Sequence, residues 1–203
     1  MDPWLWAAVF VLAVSFLSNV SPFVGSSYTL LSTLELTLLG PSLWGFILVV
    51  VVSAVGATCA KLGIYYGAFG LRRFLVRNKN VRLVGRYSST PRFYLALFVA
   101  AVLPVFPFDD YFFIGAGASS ASLGAMTAVT LGAKLLKSFA EIALEFTVLR
   151  NLATAIGGNQ LVLTVALTAA FVVIGVVAYW VDWESIFERA KARRGRRATA
   201  KAL

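Results

Sequence analysis

The long apolar runs of this sequence constrain its fold more than any other feature. Residues 161–181 contain no charged side chain and end close to Tyr179, Trp180 and Trp183. A helix of about 20 apolar residues crosses the roughly 30 Å hydrocarbon core of a bilayer, and aromatic rings concentrate where such a helix meets the headgroups. We therefore expect a C-terminal transmembrane helix over residues 161–181.

Three further runs are candidates for membrane helices. Residues 41–66 are almost continuously apolar, whereas residues 123–149 are long enough but contain four charged side chains. Residues 1–18 have only Asp2 ahead of their apolar part and not the basic residues that open a cleaved signal peptide, so they predict an N-terminal membrane helix.

The composition excludes a water-soluble enzyme. Hydrophobic residues make up 60% of the chain and charged residues 13%, whereas soluble domains average about 45–50% and 25%. The chain has no histidine, so no imidazole can act as a general base or bind a metal. The single cysteine, Cys59, excludes an intrachain disulfide, and we expect it to be a small core residue. We expect no enzymatic activity, cofactor or metal site.

Two apolar stretches are interrupted and fit no simple spanning helix. Residues 20–40 contain a proline, two glycines and Glu35, and residues 93–120 contain two prolines, two glycines and the adjacent acids Asp109 and Asp110. Proline bends or ends a helix, and a carboxylate at membrane depth is tolerated where it faces protein or a cavity. We interpret both stretches as re-entrant hairpins; two kinked spanning helices are the alternative.

Basic residues are concentrated in two segments. Seven lie between Arg72 and Arg92, where there is no acid, and seven more lie in the tail over residues 184–203. Both segments flank long apolar runs, which is the pattern of cytoplasmic loops and not of a nucleic-acid-binding surface. We expect a multi-pass protein of the cell membrane with loop 72–92 and the tail in the cytoplasm. With that orientation the two hairpins enter the membrane from opposite faces. The unit of one hairpin and the helix that follows it therefore occurs twice, the second time inverted.

A set of spaced glycines, prolines and tyrosines resembles the pattern of the DedA superfamily, also called the SNARE-associated or VTT-domain family, over residues 19–146. The matching positions are Gly56-Ala57, Lys61, Tyr65-Tyr66-Gly67, Gly70, Leu103-Pro104, Pro107 and Gly115-Ala116-Gly117. The resemblance implies two inverted re-entrant hairpins that meet near the midplane of the membrane, and movement of polyprenyl phosphate or phospholipid, linked in bacterial members to protons. It also places the family's first-hairpin acid on Glu35. The arginine that bacterial members carry in the second hairpin is replaced here by Asp109 and Asp110.

The charged side chains of residues 123–149 lie on one helical stripe. At 100° per residue, Lys134, Lys137, Glu141 and Glu145 fall within about 80° of one another, and Lys137 and Glu141 are spaced to pair. The stripe is either structural or a phosphate-binding surface in which Lys134 is the deeper and less paired lysine. We list as substrate- or proton-binding candidates Glu35, Asp109, Asp110, Lys134, Lys137 and Glu141, and as candidates for attracting headgroups at the membrane surface Lys61 and Arg92.

These features predict an all-α integral membrane protein with flanking N- and C-terminal transmembrane helices around the repeat. The expected function is movement of an anionic, phosphate-bearing lipid between leaflets, of flippase or scramblase type, with possible proton coupling. Membrane lipids and protons are the expected partners, and nucleic acid is not. The alternatives are a proton-coupled exporter of small amphipathic cations and a membrane interaction protein that transports nothing.

Overall fold

The computed structural model describes residues 2–20, 28–88, 90–103, 108–119 and 121–159, together with 162–167, 169–170 and 173. These residues form helices joined by short connections and include no β-strand, which confirms the predicted all-α class. Residues 162–167 are helical, but most of the predicted helix over 161–181 and all of the basic tail over 184–203 lie outside the described residues.

Eight helices span most of the described residues. They are α1 (Pro3–Val20), α2 (Tyr28–Leu38), α3 (Leu43–Gly70), α4 (Arg72–Leu75), α5 (Lys79–Tyr87), α6 (Pro91–Val102), α7 (Phe108–Ser119) and α8 (Leu123–Ile156). Two of these described helices, α1 and α3, are long and apolar enough to cross a membrane. The helices predicted over 41–66 and 123–149 correspond to α3 and α8, and both continue further towards the C-terminus than expected.

Local sequence signals account for several helix ends. The Ser42 side chain accepts a hydrogen bond from the Gly45 N–H at 3.0 Å, which caps the start of α3. Thr90 precedes α6, and Pro91 occupies its first turn, where the missing N–H costs nothing. Gly157 ends α8 with φ of 62°, a left-handed conformation that glycine adopts without strain. The basic loop contains two short helices, α4 with 4 residues and α5 with 9 residues.

Residues 93–120 contain two helices that pack against each other, whereas residues 20–40 contain one, α2, which packs against α1. α6 and α7 pack against each other, and Gly85, just before α6, lies against Ser119 at the end of α7, so the chain returns to the side from which it left. α1 and α2 pack in the same way, and Val11 and Leu36 share one apolar core. The first hairpin therefore begins earlier than the predicted range 20–40, because α1, which we expected to be a separate helix, is its first arm.

The two long helices α3 and α8 run antiparallel. The rings of Phe46, near the start of α3, and Phe139, at the middle of α8, have centroids 5.4 Å apart. At the opposite ends, the Tyr65 hydroxyl donates to the Ala121 carbonyl at 2.7 Å. α1 packs against α3 and α6 against α8, but the second arm of each hairpin crosses over, so that α2 packs against α8 and α7 against α3.

Two apolar cores are separated along the long helices. One contains Leu36, Val49 and Ile142, and the other contains Tyr65 and Met126. Lys61 lies between Val50 and Tyr65 on α3, and both Lys134 and Lys137 lie between Met126 and Ile142 on α8. The fold therefore places its buried charges between the two cores, beside the ends of the hairpin arms.

Candidate functional site

Four buried charged side chains meet at this position. Lys61, Asp109 and Lys134 are 2–3% exposed and Asp110 is 9% exposed. We call Lys61, Asp109, Asp110 and Lys134 the central charge cluster. It joins α3 to the two later helices α7 and α8.

Asp109 is the centre of the cluster. Its Oδ2 lies 2.9 Å from Lys134 Nζ and 3.4 Å from Lys61 Nζ. Lys61 also forms an ion pair with Asp110 and donates to the Asn19 carbonyl at 3.4 Å. Both aspartates lie in the first turn of α7, where the helix dipole also favours a carboxylate. Two ammonium groups and two carboxylates thus balance each other in the interior.

This balance makes the cluster sensitive to the loss of any member. Taking charges out of water costs several kcal/mol per ion, and the mutual attraction offsets that cost only while every partner is present. Removing one partner from such a buried pair costs about 3–5 kcal/mol. Loss of any one of the four charges would therefore leave an uncompensated charge in the interior.

A second polar group lies between α2 and α8, next to the central charge cluster. Thr29 and Thr33 donate to the two carboxylate oxygens of Glu145 at 2.7 and 2.9 Å. Lys137 Nζ is 3.8 Å from Glu141 and 6.0 Å from the centre of the Tyr28 ring. The α2–α8 polar seam is defined as Tyr28, Thr29, Thr33, Lys137, Glu141 and Glu145.

The structure brings most of the predicted site residues together. Asp109, Asp110 and Lys134 share one cluster, and Lys137 and Glu141 pair at the predicted i,i+4 spacing. Glu35 lies apart, because it is half-buried on α2 and makes no ion pair or side-chain hydrogen bond with a described residue. Glu35, although a predicted site residue, therefore takes no part in the ion pairs of the central charge cluster.

The predicted environments of three other residues need correction. Lys61 was expected near the membrane surface, but it is buried, because α3 continues to Gly70 and its polar partners lie inside. Lys134 was expected to be poorly paired, yet it contacts Asp109 at 2.9 Å. Cys59 was expected in the core but is exposed on the outer face of α3.

Arg92 is exposed at the start of α6, between two apolar grooves of about 550 and 440 Å³. The grooves share Arg92, Ala96 and Phe112 and are otherwise lined almost entirely by apolar side chains. A cation between apolar grooves matches an amphiphile with an anionic head and a hydrocarbon tail. Arg92 is thus exposed beside apolar surface, and its role in attracting headgroups stays a prediction.

Sequence reasoning missed Asn19, Tyr28, Thr29 and Thr33 as parts of the site. The spacing of Thr29, Thr33 and Thr37 by four residues is the signal that could have revealed them, because it places three hydroxyls on one face of α2. No group of three potential metal-ligating His, Cys, Asp or Glu side chains occurs among the described residues.

No family model, no curated protein and no solved structure matches this chain significantly. The resemblance to the DedA superfamily therefore stays a prediction. Function has to be inferred from the chemistry of the central charge cluster, the α2–α8 polar seam and the two grooves.

Proposed function

We propose that this protein is a multi-pass membrane transporter of the DedA type that moves a phosphate-bearing lipid between leaflets in exchange with, or together with, protons. The observation that carries the proposal is the central charge cluster, buried where the ends of two broken hairpins meet two long helices. Ionisable groups at membrane depth are costly and are typical of substrate and proton pathways.

The packing supports an inverted repeat of re-entrant hairpins. α1 packs against α3 as α6 packs against α8, and α2 packs against α8 as α7 packs against α3. α3 runs antiparallel to α8. Large apolar side chains cover the outside, including Trp44, Leu95 and Leu144, which are 80%, 66% and 65% exposed. Such a surface suits lipid, and broken helices at membrane depth suit a substrate site at the repeat interface.

The lysines give the site its preference for phosphate. Lys134 and Lys61 are both held by Asp109, so a phosphate group must displace a carboxylate before it can pair with either ammonium. A proton on Asp109 or Asp110 removes the negative charge that holds these lysines. Proton uptake therefore favours phosphate binding, and proton release restores the internal ion pairs and expels the phosphate.

The grooves beside Arg92 provide the approach to this site. The guanidinium can hold the phosphate of a lipid in the cytoplasmic leaflet while the tail lies along α6. From Arg92 to Leu103 the helix rises about 16 Å, which is comparable with one leaflet of the hydrocarbon core. The lipid head would then enter between the hairpins.

A second candidate function is favoured by the count of acids. Asp109, Asp110, Glu141 and Glu145 outnumber the three buried lysines of the same region. An excess of carboxylates suits a proton-coupled exporter of amphipathic cations. The two functions differ in the sign of the substrate's charge.

Reconstitution in liposomes distinguishes these functions. We would measure the leaflet exchange of labelled polyprenyl phosphate and phospholipid, and the export of a lipophilic cation, with and without a pH gradient. We expect acid-stimulated exchange of the phosphate lipid, lowered about 10–100-fold in Lys134→Ala and less in Lys134→Arg. Leu136→Ala, at an exposed position on the same helix, is the control.

Export of the cation alone would establish the second function. If neither lipid nor the cation moves, both candidate functions are contradicted.

A further inference from the structure

The Glu145 carboxylate stands out because it has hydroxyl partners but no cation. No lysine or arginine of the described ranges lies within ion-pair distance of it, whereas Asp109 contacts two ammonium groups. We propose that Glu145, held by Thr29 and Thr33, is a proton-binding site that feeds the central charge cluster along α8. Proton binding at Glu145 does not depend on the proposed function, whereas the use of that proton in transport rests on it.

The charges that face Glu145 leave one negative charge in excess. On α8, Glu141 lies one turn away and Lys137 two turns away, and these two pair with each other at 3.8 Å. α2 contributes the neutral Tyr28 ring, while its Glu35 lies on the other side of the helix from Thr33. One proton shared by the two glutamates makes the seam neutral, and two interacting carboxylates take up such a proton as a unit.

Charges on the other helices that pack against α8 do not compensate Glu145. Lys61, the only charged residue of α3, is engaged by Asp109 and Asp110. Arg92, the only charged residue of α6, is exposed at the start of that helix. The excess negative charge therefore stays in the α2–α8 polar seam until a proton or a cation neutralises it.

The hydroxyl groups can satisfy Glu145 in both protonation states. When the carboxylate is charged, Thr29 and Thr33 each donate to one oxygen, at 2.7 and 2.9 Å. When it is protonated, its O–H can donate to the Thr33 hydroxyl, which then turns to the carbonyl four residues earlier. Ser32 and Thr37 already make such bonds, at 2.8 and 2.9 Å. The proton can thus be bound and released without moving α2 away from α8.

The spacing along α8 supplies a route from this site to the central charge cluster. Glu145, Glu141, Lys137 and Lys134 follow one another at intervals of three or four residues, so they form a row about 16 Å long. Tyr28 and Ser138, whose hydroxyls are 3.3 Å apart, lie beside the middle of the row. Lys134 then contacts Asp109. Glu145 is the end of this row nearest the C-terminus of α8.

Infrared spectroscopy of the full chain in lipid nanodiscs tests the proton site directly. We expect a protonated-carboxyl band that grows as the pH is lowered from about 9 to 5, that is lost in Glu145→Gln, and that persists in Glu35→Gln, the control glutamate on α2. A band that is unchanged in Glu145→Gln would overturn the proposal, as would the absence of any pH-dependent band.

A second variant decides the question if Glu145→Gln does not fold. In Thr29→Val with Thr33→Val the carboxyl loses both hydroxyl partners, so its band must shift to higher frequency, and an unshifted band would overturn the assignment. In the liposome assay Glu145→Gln is expected to flatten the pH dependence of lipid exchange. If the wild type shows the protonated-carboxyl band of Glu145 but no lipid exchange, the proposed function is contradicted and the proton-binding site is not.

Discussion

Lys61 shows how the end of a helix decides the role of one residue. If α3 ended near residue 66, the long side chain of Lys61 could extend to the headgroups. Because α3 runs on to Gly70, the ammonium lies more than two turns inside the helix and finds Asp109 and Asp110. The same residue type therefore changes from a surface anchor to a tie between two helices.

Replacing Lys61 with methionine should destabilise the protein by about 3–5 kcal/mol, because Asp109 and Asp110 would then share a single ammonium group. The free energy of unfolding in mild detergent measures this loss. Arg73→Met, at an exposed position, is the control and should change stability little. Adding Asp110→Asn to Lys61→Met should restore much of the loss; a double variant as unstable as the single one would argue against the pairing.

The two aspartates should respond differently to loss of charge. Asp109 contacts two lysines and Asp110 contacts one, so Asp109→Asn should lower stability more than Asp110→Asn. Asparagine keeps size and hydrogen bonding but cannot take up a proton. We therefore expect Asp110→Asn to fold and to show lipid exchange with a flatter profile between about pH 5 and 9. An unchanged profile would exclude Asp110 from proton coupling.

At the level of helices, a glycine is required for packing only where a second helix lies close to it. A Cβ added at Gly56 would lie 2.7 Å from the Leu12 carbonyl oxygen of α1, and one added at Gly117 would meet the Tyr65 carbonyl of α3. Gly132 has no neighbour within 4 Å. A glycine in an apolar helix is therefore not by itself a sign of close packing, because α8 turns Gly132 outward.

This difference gives a matched pair of substitutions. Gly56→Ala should destabilise the protein by about 1–3 kcal/mol, since the added methyl group meets backbone that cannot move aside. Gly132→Ala should stabilise it by about 0.5–1 kcal/mol, because alanine favours the helix and enters open space. Thermal unfolding of the two variants in the same detergent checks both signs, and equal effects would contradict the packing of α1 on α3.

For the molecule as a whole, orientation in the membrane is the property to test. The basic residues of loop 72–92 predict that it faces the cytoplasm and that the end of α8 faces outside. Cysteines placed at Arg77 and at Gly158, both exposed, in a Cys59→Ser background should label from opposite sides of the membrane. Labelling of both from the same side would contradict the antiparallel placement of the two hairpins.

Sequence could predict the all-α class, the broken stretches and the charged stripe of α8, because each depends on neighbouring residues. It could not predict against which long helix each hairpin arm would pack. Thr29 and Glu145 are 116 positions apart, and Lys61 and Asp110 are 49 apart. Helical periodicity shows which face of a helix is polar but does not identify the partner of that face, so Glu35 seemed as good a member of the site as Asp109.

The crossing of the hairpin arms also affects how the chain is made. At about 5–20 residues per second, Glu145 is synthesised on the order of 10 s after Thr29, a delay set by their separation of 116 residues. Throughout that interval Thr29 and Thr33 lack Glu145 as a partner, and Lys61 waits for Asp110, which is synthesised 49 residues later. Until then the first hairpin and α3 lack the partners that hold them in the folded protein. We expect the first hairpin to remain near the membrane surface or within the insertion machinery until α7 and α8 arrive.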